Sequence, residues 1–380
     1  MLKPIENNQE SVPKIRFDLS ELAGSMGDFG TILPLVLAVA LVSGLDIGYI
    51  FLFFGIWFIL SGLIYRIPVP VEPMKVIAVI AIAEAIGPGE IAAAGILLGL
   101  IFLILGIGNW MNLIEKWIPQ SVIRGIQLGL ALLLLKTSAG FLLEDPLYFG
   151  FGIVIILAVF TFSRWRKLPD LSSLVLILVA LAAGILVSGF PEPAILSPPG
   201  LVLPEPGEFL PAFSVLVIPQ ALLTLTNAIL ATSLLSRDLV SVEIKPARLS
   251  RTIGLMNLVS VPFGGMPMCH GAGGLAGMYR FGARTGGANI IAGILFLTLA
   301  LFFASPAMIG LISVGVYGAL LVFVALELAK HAWKTESYAV TLTIGILSLA
   351  FSMTIAFFIG MALAYLLVYV RKNRSESTPE

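Results

Sequence analysis

Cysteine is almost missing from this 380-residue sequence. Cys269 stands alone, so neither an intrachain disulfide nor a cysteine-based zinc cluster can form. Histidine occurs only as His270 and His331, which leaves haem and multi-histidine metal chemistry without ligands. Charge is scarce as well. Asp, Glu, Lys and Arg make up 12% of the chain, against roughly 25% in a soluble domain. The 22 basic and 22 acidic residues cancel, so there is no case for a nucleic-acid partner. No Walker-type phosphate loop is present, which argues against ATP-driven pumping by this chain. No nucleophile–base arrangement is visible either, so neither an enzyme nor a cofactor is expected.

What the chain has in abundance is apolar surface. Hydrophobic residues make up 58% of it and its mean hydropathy is +1.04. No ordinary water-facing shell can be built from this composition, so lipid must replace water around most of the perimeter. The expected fold class is an all-α polytopic membrane protein. Fourteen apolar segments follow one another, at 22–43, 46–64, 70–86, 91–108, 120–140, 148–163, 169–189, 211–235, 251–263, 271–280, 286–304, 307–328, 336–349 and 351–370. The first run is too long for a signal-peptide core and is expected to be a retained span.

Charge placement tests this layout. If the N-terminus is cytoplasmic and sides alternate, the groups Arg66, Lys116 with Arg124, Arg164 to Lys167, Arg237 to Arg251, Arg280 with Arg284, Lys330 with Lys334, and Arg371 to Arg374 all fall inside. The opposite loops hold Asp46, Glu90, Glu144 and Asp145, with almost no Lys or Arg. This is the positive-inside pattern, and it places both termini in the cytoplasm of a cell-membrane protein. The stretch 190–211 contains seven prolines and reads as an extended external linker. It divides the chain into seven segments before and seven after. An odd number of spans per half gives halves of opposite orientation, the arithmetic of a 7+7 inverted repeat. The expected divisions are a cytoplasmic tail at 1–20, a first repeat at 21–189, the linker at 190–210, a second repeat at 211–370 and a cytoplasmic tail at 371–380.

Segments 3 and 10 are interrupted. Segment 3 opens on Ile67-Pro68-Val69-Pro70-Val71-Glu72-Pro73-Met74-Lys75, and its prolines forbid a regular helix there. The expectation is an extended stretch over 67–72, with Pro73 in the first turn of a short helix running to about Ile86. Segment 10 opens on Val261-Pro262-Phe263-Gly264-Gly265-Met266-Pro267-Met268-Cys269-His270-Gly271-Ala272-Gly273-Gly274. It is likewise an extended stretch feeding a short helix, with glycines that let backbone approach a ligand. Two half-helices starting at one point near midplane would offer bare N–H groups and roughly half a positive charge each, which makes an anion site. Packing kinks are the plainer alternative.

Individual residues sharpen this picture. Lys75 sits on the first turn of the segment 3 half-helix, where it either helps hold an anion or pairs with Glu72 or Asp28. Glu72 is a proton-coupling candidate, because burial favours the neutral form of a carboxylate, or else a structural partner of Lys75. Asp28, in Gly24-Ser25-Met26-Gly27-Asp28-Phe29-Gly30-Thr31, is a second proton-coupling candidate or a cap. The glycine spacing there has no nucleotide-fold context. Gln220, Thr224 and Asn227 recur on one helix face, either lining the site or bonding neighbouring helices. His270 could donate to an oxyanion or cap backbone. Arg124 is placed near a cytoplasmic end.

Three stretches carry a family resemblance: Gly27-Asp28-Phe29-Gly30-Thr31-Ile32-Leu33-Pro34, Pro68-Val69-Pro70-Val71-Glu72-Pro73-Met74-Lys75 and Met266-Pro267-Met268-Cys269-His270-Gly271-Ala272-Gly273-Gly274. With the arrangement at Gly282–Gly286, the chain resembles the molybdate transporters related to the sulfate-permease group over nearly its whole length. The resemblance implies a core and a gate domain intermixed across two inverted repeats, a tetrahedral oxyanion held between segments 3 and 10, and a homodimer, as in many relatives. The residue reading and the resemblance together lead us to expect substrate contacts from Gly27, Asp28, Pro73, Met74, Lys75, Gln220, Thr224, Asn227 and Cys269 through Gly274. The family commonly carries Gln where this chain has Glu72. The regulatory domain that follows the last span in the wider sulfate group is expected to be missing here. The combined expectation is a secondary active transporter importing molybdate, with or without a proton. Sulfate or tungstate transport, a nucleobase or bicarbonate carrier of the same architecture, and an anion channel are the alternatives.

Overall fold

In lipid every backbone N–H and C=O needs an internal partner, and helices supply one along an apolar run. The computed structural model describes residues 13–108, 118–189, 196, 198–302 and 306–376. Fourteen helices account for most of these residues. They are α1 Leu19–Ser43, α2 Ile47–Tyr65, α3 Lys75–Glu84, α4 Pro88–Ile107, α5 Gln120–Glu144, α6 Pro146–Arg166, α7 Ser172–Ser188, α8 Pro206–Val240, α9 Pro246–Ser260, α10 Ala272–Phe281, α11 Gly287–Phe302, α12 Val314–Ala332, α13 Tyr338–Ala350 and α14 Met353–Glu376. A short turn of helix at Pro306–Gly310 precedes α12. Eight of the fourteen are long and apolar enough to cross a membrane, and α7, α11 and α13 are shorter apolar helices. The chain is a polytopic helical membrane protein.

Local chemistry sets the ends. Asp18 caps α1 by accepting from the Ser20 and Glu21 amides, both at 3.0 Å. Asp46 caps α2 through the Gly48 amide at 2.7 Å. Prolines open α4, α6, α8 and α9, where a missing N–H costs nothing. The α1 helix is interrupted at Met26-Gly27-Asp28, where it crosses α10 backbone against backbone. A Cβ at Gly27 would stand 2.7 Å from the Gly277 carbonyl, and one at Gly277 would stand 2.6 Å from the Gly27 oxygen. Only glycine permits this approach.

Polar contacts tie helix ends and loops to one another. Arg124 Nε donates to the Lys334 carbonyl at 3.1 Å, Arg248 Nη2 to the Ile64 carbonyl at 2.8 Å, and the Arg16 amide to Thr285 Oγ1 at 3.2 Å. At the far end of α5 the Ser313 hydroxyl donates to Asp145.

Two stretches of two residues form the only strands among the described residues. β1 (Glu72–Pro73) pairs antiparallel with β2 (Met268–Cys269), setting Glu72 opposite Cys269 and Pro73 opposite Met268. Pro73 therefore belongs to a strand, and not to the first helical turn as the sequence suggests. The ladder runs one residue further, since the Met74 amide donates to the Pro267 carbonyl at 2.9 Å, and α3 starts only at Lys75 and ends at Glu84. The sequence boundaries shift elsewhere too. Helix α8 begins at Pro206, five residues before the expected end of the proline-rich stretch, and α14 continues past residue 370 to Glu376. Residues 1–12, Lys116, residues 190–195 and 197, and the side chains of the 371–380 tail lie outside the described residues.

Candidate functional site

The extended stretch before α3 is completely buried, so its polar backbone must be answered by side chains. The Val69 carbonyl accepts from Ser61 Oγ at 2.9 Å and from Asn289 Nδ2. The Pro70 carbonyl accepts from His270 Nδ1 at 2.8 Å, and His270 Nε2 lies 2.9 Å from Thr252 Oγ1. On the far edge of β2, Asn257 acts as a third strand. Its Nδ2 donates to the Met268 carbonyl at 2.7 Å, and its Oδ1 accepts the Met268 amide at 2.9 Å. These clamps fix where α3 and α10 begin.

Neither helix start is bare. At α3 the Gln220 side chain accepts from the Val76 and Ile77 amides at 2.8 and 3.4 Å, and its own Nε2 donates to Thr224 Oγ1 at 2.8 Å. At α10 the Gly274 amide donates to Glu72 Oε1 at 2.9 Å, and Glu72 Oε2 is ion-paired with Lys75. One carboxylate thus joins the two helix starts. The glycines of α10 make room for it. A Cβ at Gly271 would stand 2.2 Å from Glu72 Oε1, and one at Gly274 would stand 2.4 Å from both Glu72 Oε1 and Asp28 Oδ2. Asp28 is 6% exposed, and its Oδ2 accepts no hydrogen bond from a donor among the described residues. A Cβ at Gly273, by contrast, would meet nothing within 4 Å.

A cavity of about 550 Å³ reaches this spot. Its inner wall holds Gly27, Asp28, Glu72, Lys75, Asn227 and Ala272 to Gly274. Its outer wall holds Arg124, Arg164, Arg280 and Lys330, with Asp170 and Glu327 as the acidic members. Arg164, Arg280 and Lys330 are exposed, so the cavity opens at the arginine-rich end of the bundle.

The sequence candidates therefore fall into two groups. Gly27, Asp28, Glu72, Lys75, Asn227, Ala272, Gly273 and Gly274 meet at the cavity. Pro73, Met74, Cys269, His270 and Gly271 lie behind it in the strand pair or beneath Glu72, and Gln220 with Thr224 faces α3. The spacing of 4 and 3 residues through Gln220, Thr224 and Asn227 does not put all three on a common face, because α8 contains wide turns over Phe213–Val217 and Thr224–Ala231. Each residue in such a turn rotates the helix less than usual, which carries Asn227 away from Gln220. Asn257, Asn289, Ser61 and Thr252 had no place in the sequence reading. Their one signal is a lone polar side chain in an apolar stretch. Among the described residues no cluster of His, Cys, Asp and Glu could hold a metal ion.

Comparison with known proteins is consistent along the chain. A family model described as "Molybdate transporter of MFS superfamily" matches residues 20–134 and 212–328, together more than half of the sequence. Molybdate transporter 1 of Arabidopsis thaliana is 35% identical over 370 residues, covering 83% of this chain and 80% of its own length. Molybdate transporter 2 of the same plant is 32% identical over 407 residues, covering 93% and 88%. Among solved structures, the transmembrane domain of the cyanobacterial bicarbonate transporter BicA superposes with a TM-score of 0.64 at 16% identity, covering 92% of this chain and 97% of that one. Murine Slc26a9, an anion transporter in the inward-facing state, superposes with a TM-score of 0.69 at 15% identity, covering 94% and 70%. At these identities the two structures establish a shared fold.

Proposed function

The chain belongs to the molybdate transporter family, and from that premise we propose that it is a secondary transporter importing a tetrahedral oxyanion, molybdate first among them. The observation that carries the reading is the cavity whose inner end holds Lys75 and the start of α10. An ammonium group and helix-start amides recognise an oxyanion through charge-assisted hydrogen bonds. The outer ring of Arg124, Arg164, Arg280 and Lys330 favours anions along the approach. On the positive-inside assignment this mouth is cytoplasmic, and the conformation is inward-open. The α3 and α10 starts correspond by position in a 7+7 inverted repeat. Their unit, moving against the remaining helices as core against gate, would alternate access.

Charge also argues for a proton. Asp28 and Glu72 face a single Lys75 at the inner end, so a dianion entering with a proton leaves less uncompensated charge in a low-dielectric place. The unpartnered Asp28 Oδ2 supports a second reading, a carrier for a cargo that donates a hydrogen bond, such as bicarbonate or a nucleobase.

Uptake of radiolabelled molybdate into proteoliposomes, under imposed proton or sodium gradients and with sulfate, bicarbonate and uracil as competitors, separates these readings. The expected result is saturable uptake driven by a proton gradient and suppressed by related dianions. Lys75→Ala should weaken apparent affinity by roughly tenfold or more, the scale of one charged hydrogen bond. Normal affinity in that variant would remove Lys75 from the site.

A further inference from the structure

We propose that Glu72 is a tethered competitor: in the empty carrier its carboxylate occupies the donors that the cargo needs, and the cargo binds by displacing it. This rests on the oxyanion reading above and adds a determinant of affinity to it.

The argument starts from what fills the glycine cradle. Gly271 and Gly274 lack the Cβ atoms that would exclude a guest from the start of α10, and the guest present is Glu72. Its Oε1 accepts the Gly274 amide at 2.9 Å, and its Oε2 pairs with Lys75 Nζ. These are one backbone donor and one ammonium group, the donor set an oxyanion would use. At 1% exposure the carboxylate is poorly hydrated, so it holds these donors whenever nothing else does.

The occupancy is nevertheless displaceable. The other group against Gly274 is Asp28, whose Oδ2 lies as close to the missing Cβ as Glu72 Oε1 does and has no hydrogen-bond partner among the described residues. Like-charge crowding opposes Glu72 at this spot, and among the described residues Lys75 is the only cation at the inner end. The cavity also reaches Glu72, Lys75 and Gly274 together, so a guest can approach the shared donors without passing through protein. A monoanion matches the charge of Glu72 without exceeding it, whereas a dianion outbids it for Lys75. Glu72 thereby raises the threshold for binding and biases selection toward dianions.

The test measures molybdate, sulfate and bicarbonate binding to detergent-purified full-length protein by calorimetry, for wild type and Glu72→Gln. The amide keeps the shape and removes the charge. The inference expects roughly tenfold tighter molybdate binding by Glu72→Gln, the scale of one charge-assisted contact no longer contested. It also expects a smaller ratio of molybdate to bicarbonate affinity. Merely structural damage would weaken binding and not strengthen it. Should Glu72→Gln not fold, infrared difference spectra of wild type on adding molybdate give the same answer. A perturbed carboxylate band supports displacement, and an unperturbed one overturns it. Molybdate binding by wild type that is equal or weaker in Glu72→Gln overturns the inference alone. Binding of no oxyanion by either protein overturns the transport reading along with it.

Discussion

The two interrupted segments have the same plan and opposite finishes. Each runs as extended chain into one strand of a two-stranded ladder and then into a ten-residue helix. At α3 only Lys75 reaches the cavity and the rest of the first turn is sealed: Gln220 takes the Val76 and Ile77 amides, and Val76 through Ile82 are all buried. At α10 the first turn is glycine-rich and open, with Ala272, Gly273, Ala276 and Gly277 on the cavity wall. The difference teaches that pairing positions both helix starts, while side-chain choice decides how far each of them faces the cavity. Lys75 apart, substitutions at the open start should therefore be read in transport, and those at the sealed start in stability.

The largest effect is expected from Gly274→Ala. Its Cβ would intrude on Asp28 and Glu72, each 2.4 Å away, and displace the inner wall of the site. Uptake per folded molecule should fall by about a hundredfold, as expected when binding groups move by an ångström. Normal proteoliposome uptake would erase the distinction between the two starts. A smaller effect, on a different scale, is expected from Gln220→Leu. Two buried amides lose their acceptor, which costs about 1–3 kcal/mol. Thermal unfolding in detergent should show the loss, and a variant that keeps its stability but loses uptake would reverse the roles assigned to α3 and α10. The smallest effect belongs to Gly273→Ala, whose Cβ meets open space. Stability should hold or rise by up to about 1 kcal/mol from helix propensity. A clear drop in melting temperature would mean that this surface packs against protein.

Much of the fold can be read from the residues. Lipid demands long apolar runs, so segment order and number follow directly, and Pro68, Pro70, Pro73 and Pro267 mark the two breaks because no regular helix tolerates them there. What cannot be read is tertiary. Nothing local tells that Glu72 reaches a glycine cradle about 200 residues downstream, or that Asn257 completes a ladder. The Gln220–Thr224–Asn227 face misleads because spacing rules assume an unbroken 3.6-residue turn, which α8 does not keep. His270 shows a further limit. Its residue type suggests a ligand contact, yet both ring nitrogens serve the extended stretch at Pro70 and the α9 hydroxyl of Thr252.

The ladder between Glu72–Pro73 and Met268–Cys269 also sets a timetable for biogenesis. At ribosomal speed the intervening chain takes roughly 10–40 s to emerge. Throughout that interval the nascent first half carries extended peptide groups whose eventual partner has not been translated. Insertion machinery must shelter them until it arrives. A frameshift or stop between residues 73 and 268 therefore leaves a half-molecule with an unsatisfied polar edge, a ready mark for membrane quality control.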